Sequence, residues 1–314
     1  MYEEHFGLNA KPFRITPDPR YLFMSDRHKE GLAHLLYGVT DSGGFIQLTG
    51  EVGTGKTTLI RALLEQLPSK VEIALIMHTQ ITAKEFLSEI CNEFNIDNHG
   101  ESTIDIVNTL NSFLLEQHAK GRKIILLIDE AQNLTTDVLE QIRLLTNLET
   151  EKDKLLQIIL IGQPELRMVL AQNNLRQLSQ RITARYHLKP LSKAETFLYI
   201  EHRLRISGSK IEIFKKNAKK EVFRYSSGIP RLINIICDRA LLGAYSINTR
   251  EVDKKIVIKA KNEIQGHEIP PRKSNWTPTY ILIVMVIVIF FTNELGYIDS
   301  QYLSNIMKIF FKVN

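Results

Sequence analysis

Short apolar runs alternate with longer amphipathic stretches from about residue 45 to residue 188, and the alternation then stops. The runs at 45–49, 71–77, 124–128 and 156–161 are apolar nearly throughout, as strands covered on both faces of a parallel sheet must be. A fifth run, 185–188, is more polar and predicts a weaker strand. Between the runs, apolar positions three and four apart predict helices at 57–67, 83–94, 104–118 and 136–148. An earlier helix is predicted at 25–39, with Ser25 as its N-cap and Leu32, Leu35, Leu36 and Val39 on one side. From residue 192 onward the period is helical only, at 192–206, 216–226, 230–245 and 252–264. The pattern predicts an α/β unit with a parallel sheet over residues 1–190, followed by a small helical domain over 191–265.

After residue 265 the periodicity breaks. Residues 266–279 hold Pro270, Pro271 and Pro278 with the basic pair Arg272 and Lys273, and read as a linker. Residues 280–291 read YILIVMVIVIFF, and a single transmembrane helix is expected over 280–298. Trp276 and Tyr280 at one end and Tyr297 at the other suit interfacial anchors. The basic flank predicts a cytoplasmic amino-terminal side, with residues 299–314 as a short periplasmic tail.

Composition changes this picture little. The 314 residues carry Lys and Arg against Asp and Glu at 40 to 35, a formal charge of +5. That excess permits contact with anionic lipid or nucleic acid without demanding either. Cys91 and Cys237 sit far apart in apolar helical patterns and read as buried thiols. No Cys-x-x-Cys or His-Glu-x-x-His spacing occurs, which argues against a zinc site. The opening residues carry acidic side chains and no apolar core, so no cleavable signal peptide is expected.

The chemistry is carried by GEVGTGKTT, residues 50–58. Gly50, Gly53 and Gly55 allow backbone N–H groups to converge on phosphates at the start of a helix, with Glu51, Val52, Thr54 and Thr58 completing the cradle. Lys56 is placed to neutralise the β- and γ-phosphates of ATP, and the Thr57 hydroxyl to hold Mg2+. A strand before the loop and a helix after it supply the context this motif requires. In KIILLIDEAQ a buried strand ends in Asp129 and Glu130, one for the magnesium shell and one to polarise an attacking water. The end of the next strand delivers Gln163, which can orient water or sense the γ-phosphate. Arg176, Arg181 and Arg185 are candidates for a finger acting on the transferring phosphoryl group, commonly from a neighbouring subunit. Arg231, in SGIPRLIN, begins a helix of the second domain and could swing onto the nucleotide as the domains close.

The order GEVGTGKTT, LLIDEAQNL, ILIGQPEL, LSQRI and GIPRLIN resembles the AAA+ ATPases of bacterial secretion and pilus assembly. With FGLNAKPFRITPDPRYLFMSDRHKEGLAHLLYGV before it, the set is similar to the general secretion pathway A type, over about residues 1–265. The resemblance implies an AAA+ P-loop NTPase fold with a helical lid and the nucleotide loop at residues 50–57. It implies Asp129 and Glu130 as the magnesium and water-activating pair and Gln163 as a sensor. It makes Arg181 or Arg185 the finger and Arg231 a second sensor. It further implies ATP and Mg2+, self-association into a ring or other homo-oligomer, an inner-membrane partner resembling GspB, and an indirect role in assembling the outer-membrane secretin of type II secretion. Longer members carry a peptidoglycan-binding domain beyond the membrane segment. Here only residues 299–314 follow it, which puts direct peptidoglycan binding by this chain in doubt. The alternatives are a pilus-biogenesis ATPase, a nucleotide switch without turnover, and a DNA-binding regulator of the transposition or replication kind. The expected anchor argues against nucleic acid as the partner.

Overall fold

All six residues of strand β1 (Phe45–Gly50) are buried, as are all seven of β4 (Leu156–Gly162), so the sheet they share is covered on both faces. The computed structural model describes residues 1–16, 18–40, 44–97 and 102–264. The expected linker, the expected span at 280–298 and the expected tail at 299–314 lie outside the described residues. Among the described residues, no helix is long and apolar enough to cross a membrane.

The chain opens with α1 (Tyr2–Phe6) and a strap reaching Phe23, then α2 (Asp26–Thr40), β1 and α3 (Lys56–Gln66). Next come β2 (Val71–Ile76), α4 (Ala83–Glu93), α5 (Thr103–Ala119), β3 (Lys123–Ile128), α6 (Thr136–Leu145) and β4. The short α7 (Glu165–Leu170) and α8 (Arg176–Gln180) precede β5 (Ile182–Leu188). Four helices complete the described chain: α9 (Lys193–Ile206), α10 (Lys216–Ser226), α11 (Pro230–Ser246) and α12 (Lys254–Ile264). Among the described residues the five strands form one parallel sheet in the order β2-β3-β4-β1-β5.

The period of two sorts the strand side chains into two cores. Phe45, Ile124, Leu126, Ile128, Ile158 and Leu160 join α4, α5 and α6 on one face. Ile46, Leu48, Ile125, Leu127, Ile159 and Ile161 join α2 and α3 on the other. Edge strand β5 needs cover on one side only, and its burial is accordingly mixed. Its seven residues, ITARYHL, begin three positions before the strand expected at 185–188.

A third core belongs to the helical part, built from α9 to α12 with Phe214, Ile233 and Leu241 among its buried side chains. Ser192 starts it with a capping box to Glu195. Tyr2, Phe6, Leu8 and Phe13 also join this core, although they precede the sheet in the chain. The buried Arg203 guanidinium, 6% exposed, holds the strap in place. It donates to the Pro12 carbonyl at 2.5 Å and to Tyr199 Oη at 2.8 Å, and lies 4.8 Å from the Tyr21 ring centroid. Carbonyl dipoles and ring faces thus replace water around this cation.

Within the helical part, the segment entering α9 is tied at Gly228, where Leu191 N–H donates to the Gly228 carbonyl at 2.9 Å. Gly228 has φ +80°, and a Cβ there would lie 1.9 Å from the Leu191 carbonyl oxygen. Gly228→Ala therefore combines left-handed strain with a backbone collision, and it should destabilise the protein by ~2 kcal/mol or more. Thermal unfolding followed by circular dichroism checks this, with an unchanged midpoint as the contrary result.

Candidate functional site

The carboxyl ends of β1, β3 and β4 converge on one edge of the sheet, where open α/β sheets bind ligands. The loop leaving β1 turns sharply at Gly53 (φ 80°) and Gly55 (φ 105°), and α3 begins at Lys56. Both glycines are required sterically as well. A Cβ on Gly53 would come within 2.5 Å of Arg231 Cβ, and one on Gly55 within 2.8 Å of His28 Nε2. Thr54 Oγ1 braces the loop by donating to the Glu51 carbonyl at 2.8 Å.

Lys56 is only 8% exposed. Its ammonium donates to the carbonyls of Gly50 at 2.8 Å and Glu51 at 3.2 Å. Burial pushes its pKa down, and the nearby Glu130 and Asp129 carboxylates oppose that shift. Asp129 continues the sheet through its N–H to the Ile76 carbonyl at 2.9 Å, and its Oδ1 accepts the Glu130 N–H at 2.8 Å. Burial raises the Asp129 carboxyl above its usual range, against that hydrogen bond.

Glu130 adopts φ 50°, a left-handed conformation uncommon for a side chain of this kind and characteristic of functional turns. Its Oε2 accepts from Gln132 Nε2 at 2.6 Å and from Gln163 Nε2 at 3.2 Å. Burial pushes this carboxyl up, but the two amide donors and the Lys56 charge outweigh it and hold the pKa below the usual carboxylate value. Gln132 Oε1 in turn accepts the Gln163 N–H at 3.0 Å. One carboxamide thus clips the end of β4 to the carboxylate after β3.

Lys56, Thr57, Asp129, Glu130 and Arg231 share a single cavity of about 620 Å³, and Gln163 is joined to it through Glu130. Arg231 N–H reaches the Gly53 carbonyl at 3.3 Å, so the start of α11 rests on the loop. The far wall comes from the strap and the helical part: Arg14, Asp18, Tyr21, Tyr199, Arg203 and Asn234. Arg181 and Arg185 are not in this cavity. Arg181 donates to Thr146 Oγ1 at 2.5 Å, and Arg185 to the Ser179 carbonyl at 2.5 Å. Arg176 and Arg185 line a separate surface hollow.

The sequence reading omits several members of the site. Gln132 was visible in DEAQ as an amide two residues past the carboxylate. His28, buried beneath the loop, contacts Ser25 Oγ at 2.7 Å through Nδ1 and the Thr54 carbonyl at 3.2 Å through Nε2. The Ser-x-x-His spacing at a helix start was its signal. The strap had none, because its position depends on partners some 190 residues away, Arg203 and Ser207 among them.

Two cooperating elements, a glycine-rich loop closed by a buried lysine and a carboxylate pair on the strand two places away in the sheet, define a P-loop NTPase of the AAA class. Residues 39–170 match the family model described as AAA domain. The chain is similar to general secretion pathway protein A of Aeromonas hydrophila, with 49% identity over 267 residues that cover 85% of this chain and 49% of the relative. The chain thus spans about half the length of that curated relative. Among solved structures it is similar to Drosophila ORC bound to DNA, with a TM-score of 0.61, 20% identity, and coverage of 95% of this chain and 81% of that one. It is also similar to CDC6P from Pyrobaculum aerophilum, with a TM-score of 0.59, 19% identity, and coverage of 83% and 71%. At such identities the structural likeness establishes the AAA fold alone.

Two tests follow from this geometry. Gln132→Leu removes the clip from Glu130 and from the Gln163 amide while sparing the glycine loop. Nucleotide turnover should fall about 10–100-fold with nucleotide affinity unchanged, since orientation is lost and phosphate contacts are not. Steady-state kinetics alongside equilibrium nucleotide binding separate the two quantities.

The His28 pKa is lowered, chiefly by burial. Above about pH 6.5 the imidazole is neutral in both folded and unfolded chains. As pH falls below that value the unfolded chain takes up a proton that the folded one resists, and stability is lost down to the folded pKa. His187 and His202 are shifted the same way by burial. His28→Gln should therefore shallow the fall of the unfolding midpoint between about pH 7 and pH 5 without abolishing it, as melting curves across that range will show.

Proposed function

We propose that this chain is an ATP hydrolase, anchored in the bacterial inner membrane, that couples ATP binding and hydrolysis to assembly of a type II secretion machine. The reading is supported above all by the one cavity that Lys56, Thr57, Asp129, Glu130 and Arg231 share. The donor set suits magnesium: a hydroxyl at Thr57 and a carboxylate at Asp129 with one oxygen uncommitted to Glu130. When bound beside nucleotide, the ion supplies charge neutralisation on the phosphates. Lys56 leaves the Gly50 and Glu51 carbonyls to meet phosphate oxygens. Glu130 orients and polarises the attacking water, and Gln163 reports the γ-phosphate to it. Arg231 contributes from the start of α11. Arg181 or Arg185 acts from a neighbouring copy in a homo-oligomer.

The anchor is the apolar run within residues 280–298, with the ATPase on the cytoplasmic side and residues 299–314 in the periplasm. The relative's name, general secretion pathway protein A, supports the secretion assignment. By the same resemblance the partner is an inner-membrane protein of the GspB kind, and the secretin is reached through it.

Glu130→Gln tests both levels. Turnover should fall about 10²–10⁴-fold while ATP still binds, because the carboxamide fills the same space without accepting a proton. Equal, negligible rates in the two proteins would remove the enzyme assignment. Isolated from membranes in the presence of ATP, the same variant should retain a second inner-membrane protein bearing a periplasmic domain. Recovery of the chain alone would remove the partner.

A further inference from the structure

The charge of the chain is unevenly placed. Residues 1–190 carry 20 Lys and Arg against 24 Asp and Glu, a balance of −4. Residues 191–264 carry 16 against 8, a balance of +8. The excess over the whole chain therefore resides in the helical part, and within it much of the excess lies on α10 and α12.

Lys216, Lys220 and Arg224 recur every fourth residue of α10 and are exposed. Lys254, Lys255 and Lys259 are exposed on α12. The two helices join their cations at one ring: Arg224 lies 5.7 Å and Lys261 5.2 Å from the Tyr225 centroid. The acid between the helices, Glu221, is buried at 7% and already engaged by Lys254 at 3.2 Å and Arg224 at 3.5 Å. Among the described residues, Lys216, Lys220, Lys255 and Lys259 have no ion-pair partner. Like charges crowded on one face repel in water, and a polyanionic surface relieves them.

Two further facts select the surface. The cations are mostly lysines, which act as hydrated point charges suited to a diffuse anionic layer more than to bidentate recognition. In addition, α12 ends at Ile264, only residues 265–279 before the apolar run. That stretch spans at most about 50 Å when extended, so a bilayer holding the run tethers the helical part within that reach of its surface.

We propose that the exposed face of α10 and α12 docks on anionic lipid headgroups and holds the ATPase against the membrane. The inference rests on the anchoring proposed above. It is tested with the full chain reconstituted into neutral phosphatidylcholine vesicles and into vesicles containing about 30% phosphatidylglycerol. Amine-reactive labelling of individual lysines is then read by mass spectrometry. Labelling of Lys216, Lys220, Lys255 and Lys259 should slow about tenfold in the anionic vesicles and recover at about 0.5 M salt, as screening shortens the reach of the surface. Lys70 and Lys152, exposed on the sheet side, should label alike in both. Equal labelling of the four lysines in both vesicles, with the chain resisting carbonate extraction, would overturn the docking face while leaving the anchor intact. Failure of the chain to enter neutral vesicles would overturn the anchor and this inference with it. Protection of the same lysines by a DNA duplex at low salt, without protection by anionic vesicles, would overturn it in favour of nucleic acid.

Discussion

The Lys56 ammonium is a cation taken almost entirely out of water at the end of a buried strand. A desolvated ammonium costs several kcal/mol unless oriented oxygens replace its hydration. Here the Gly50 and Glu51 carbonyls do so, at 2.8 and 3.2 Å. Those carbonyls point inward only because the loop turns through left-handed backbone at Gly53 and Gly55, with Arg231 and His28 filling the space that a Cβ would take. The cation therefore demands the loop, the loop demands glycine, and the glycines bring the sheet and the helical part into contact at Arg231. The same charge opposes the burial that raises Asp129, and it joins the Gln132 and Gln163 donors in holding Glu130 below the usual carboxylate value.

The sheet supplies the rigidity that such a site needs. Side chains from β1, β3 and β4 alternate between two cores, so a slip of one residue would move every side chain of a strand out of the core it fills and into the opposite one. This register fixes Asp129 and Glu130 relative to Lys56 even though β4 lies between their strands. The Gln132 carboxamide completes the arrangement by bonding across to β4, at the place where Gly162 leaves it room. A Cβ on Gly162 would stand 2.7 Å from Gln132 Oε1.

Much of this architecture was legible along the chain. The central strands announced themselves because burial on both faces leaves no polar position to confuse the pattern, and the helices of the second part because their period is clean. The glycine loop and the Asp129–Glu130 pair were legible because their residue types are dictated by local chemistry. What escaped was set by distance in sequence. β5 reads short at its beginning, where Ile182, Thr183 and Ala184 follow α8 closely and only pairing with β1 marks them as strand. Residues 1–23 stand before the sheet in the chain, yet Tyr2, Phe6 and Phe13 pack with the helical part, held by long-range bonds such as those of Arg203 to Pro12 and Arg14, Tyr2 to Asp238 and Asn9 to Ser207. The roles of Arg181 and Arg185 were equally illegible, since within one chain their hydrogen bonds run to Thr146 and Ser179.

The cavity is bounded by two structural cores. Lys56, Thr57 and Asp129 come from the sheet, while Tyr199, Arg203, Asn234 and Arg231 come from the helical part, with the strap closing the remaining side. A ligand shifts the relation between two bodies only by its different contacts with each arrangement. A nucleotide filling this space would touch both sides. A ligand of this cavity in contact with both sides would thus bear on the helical part, which carries the positive balance of the chain, as well as on the sheet.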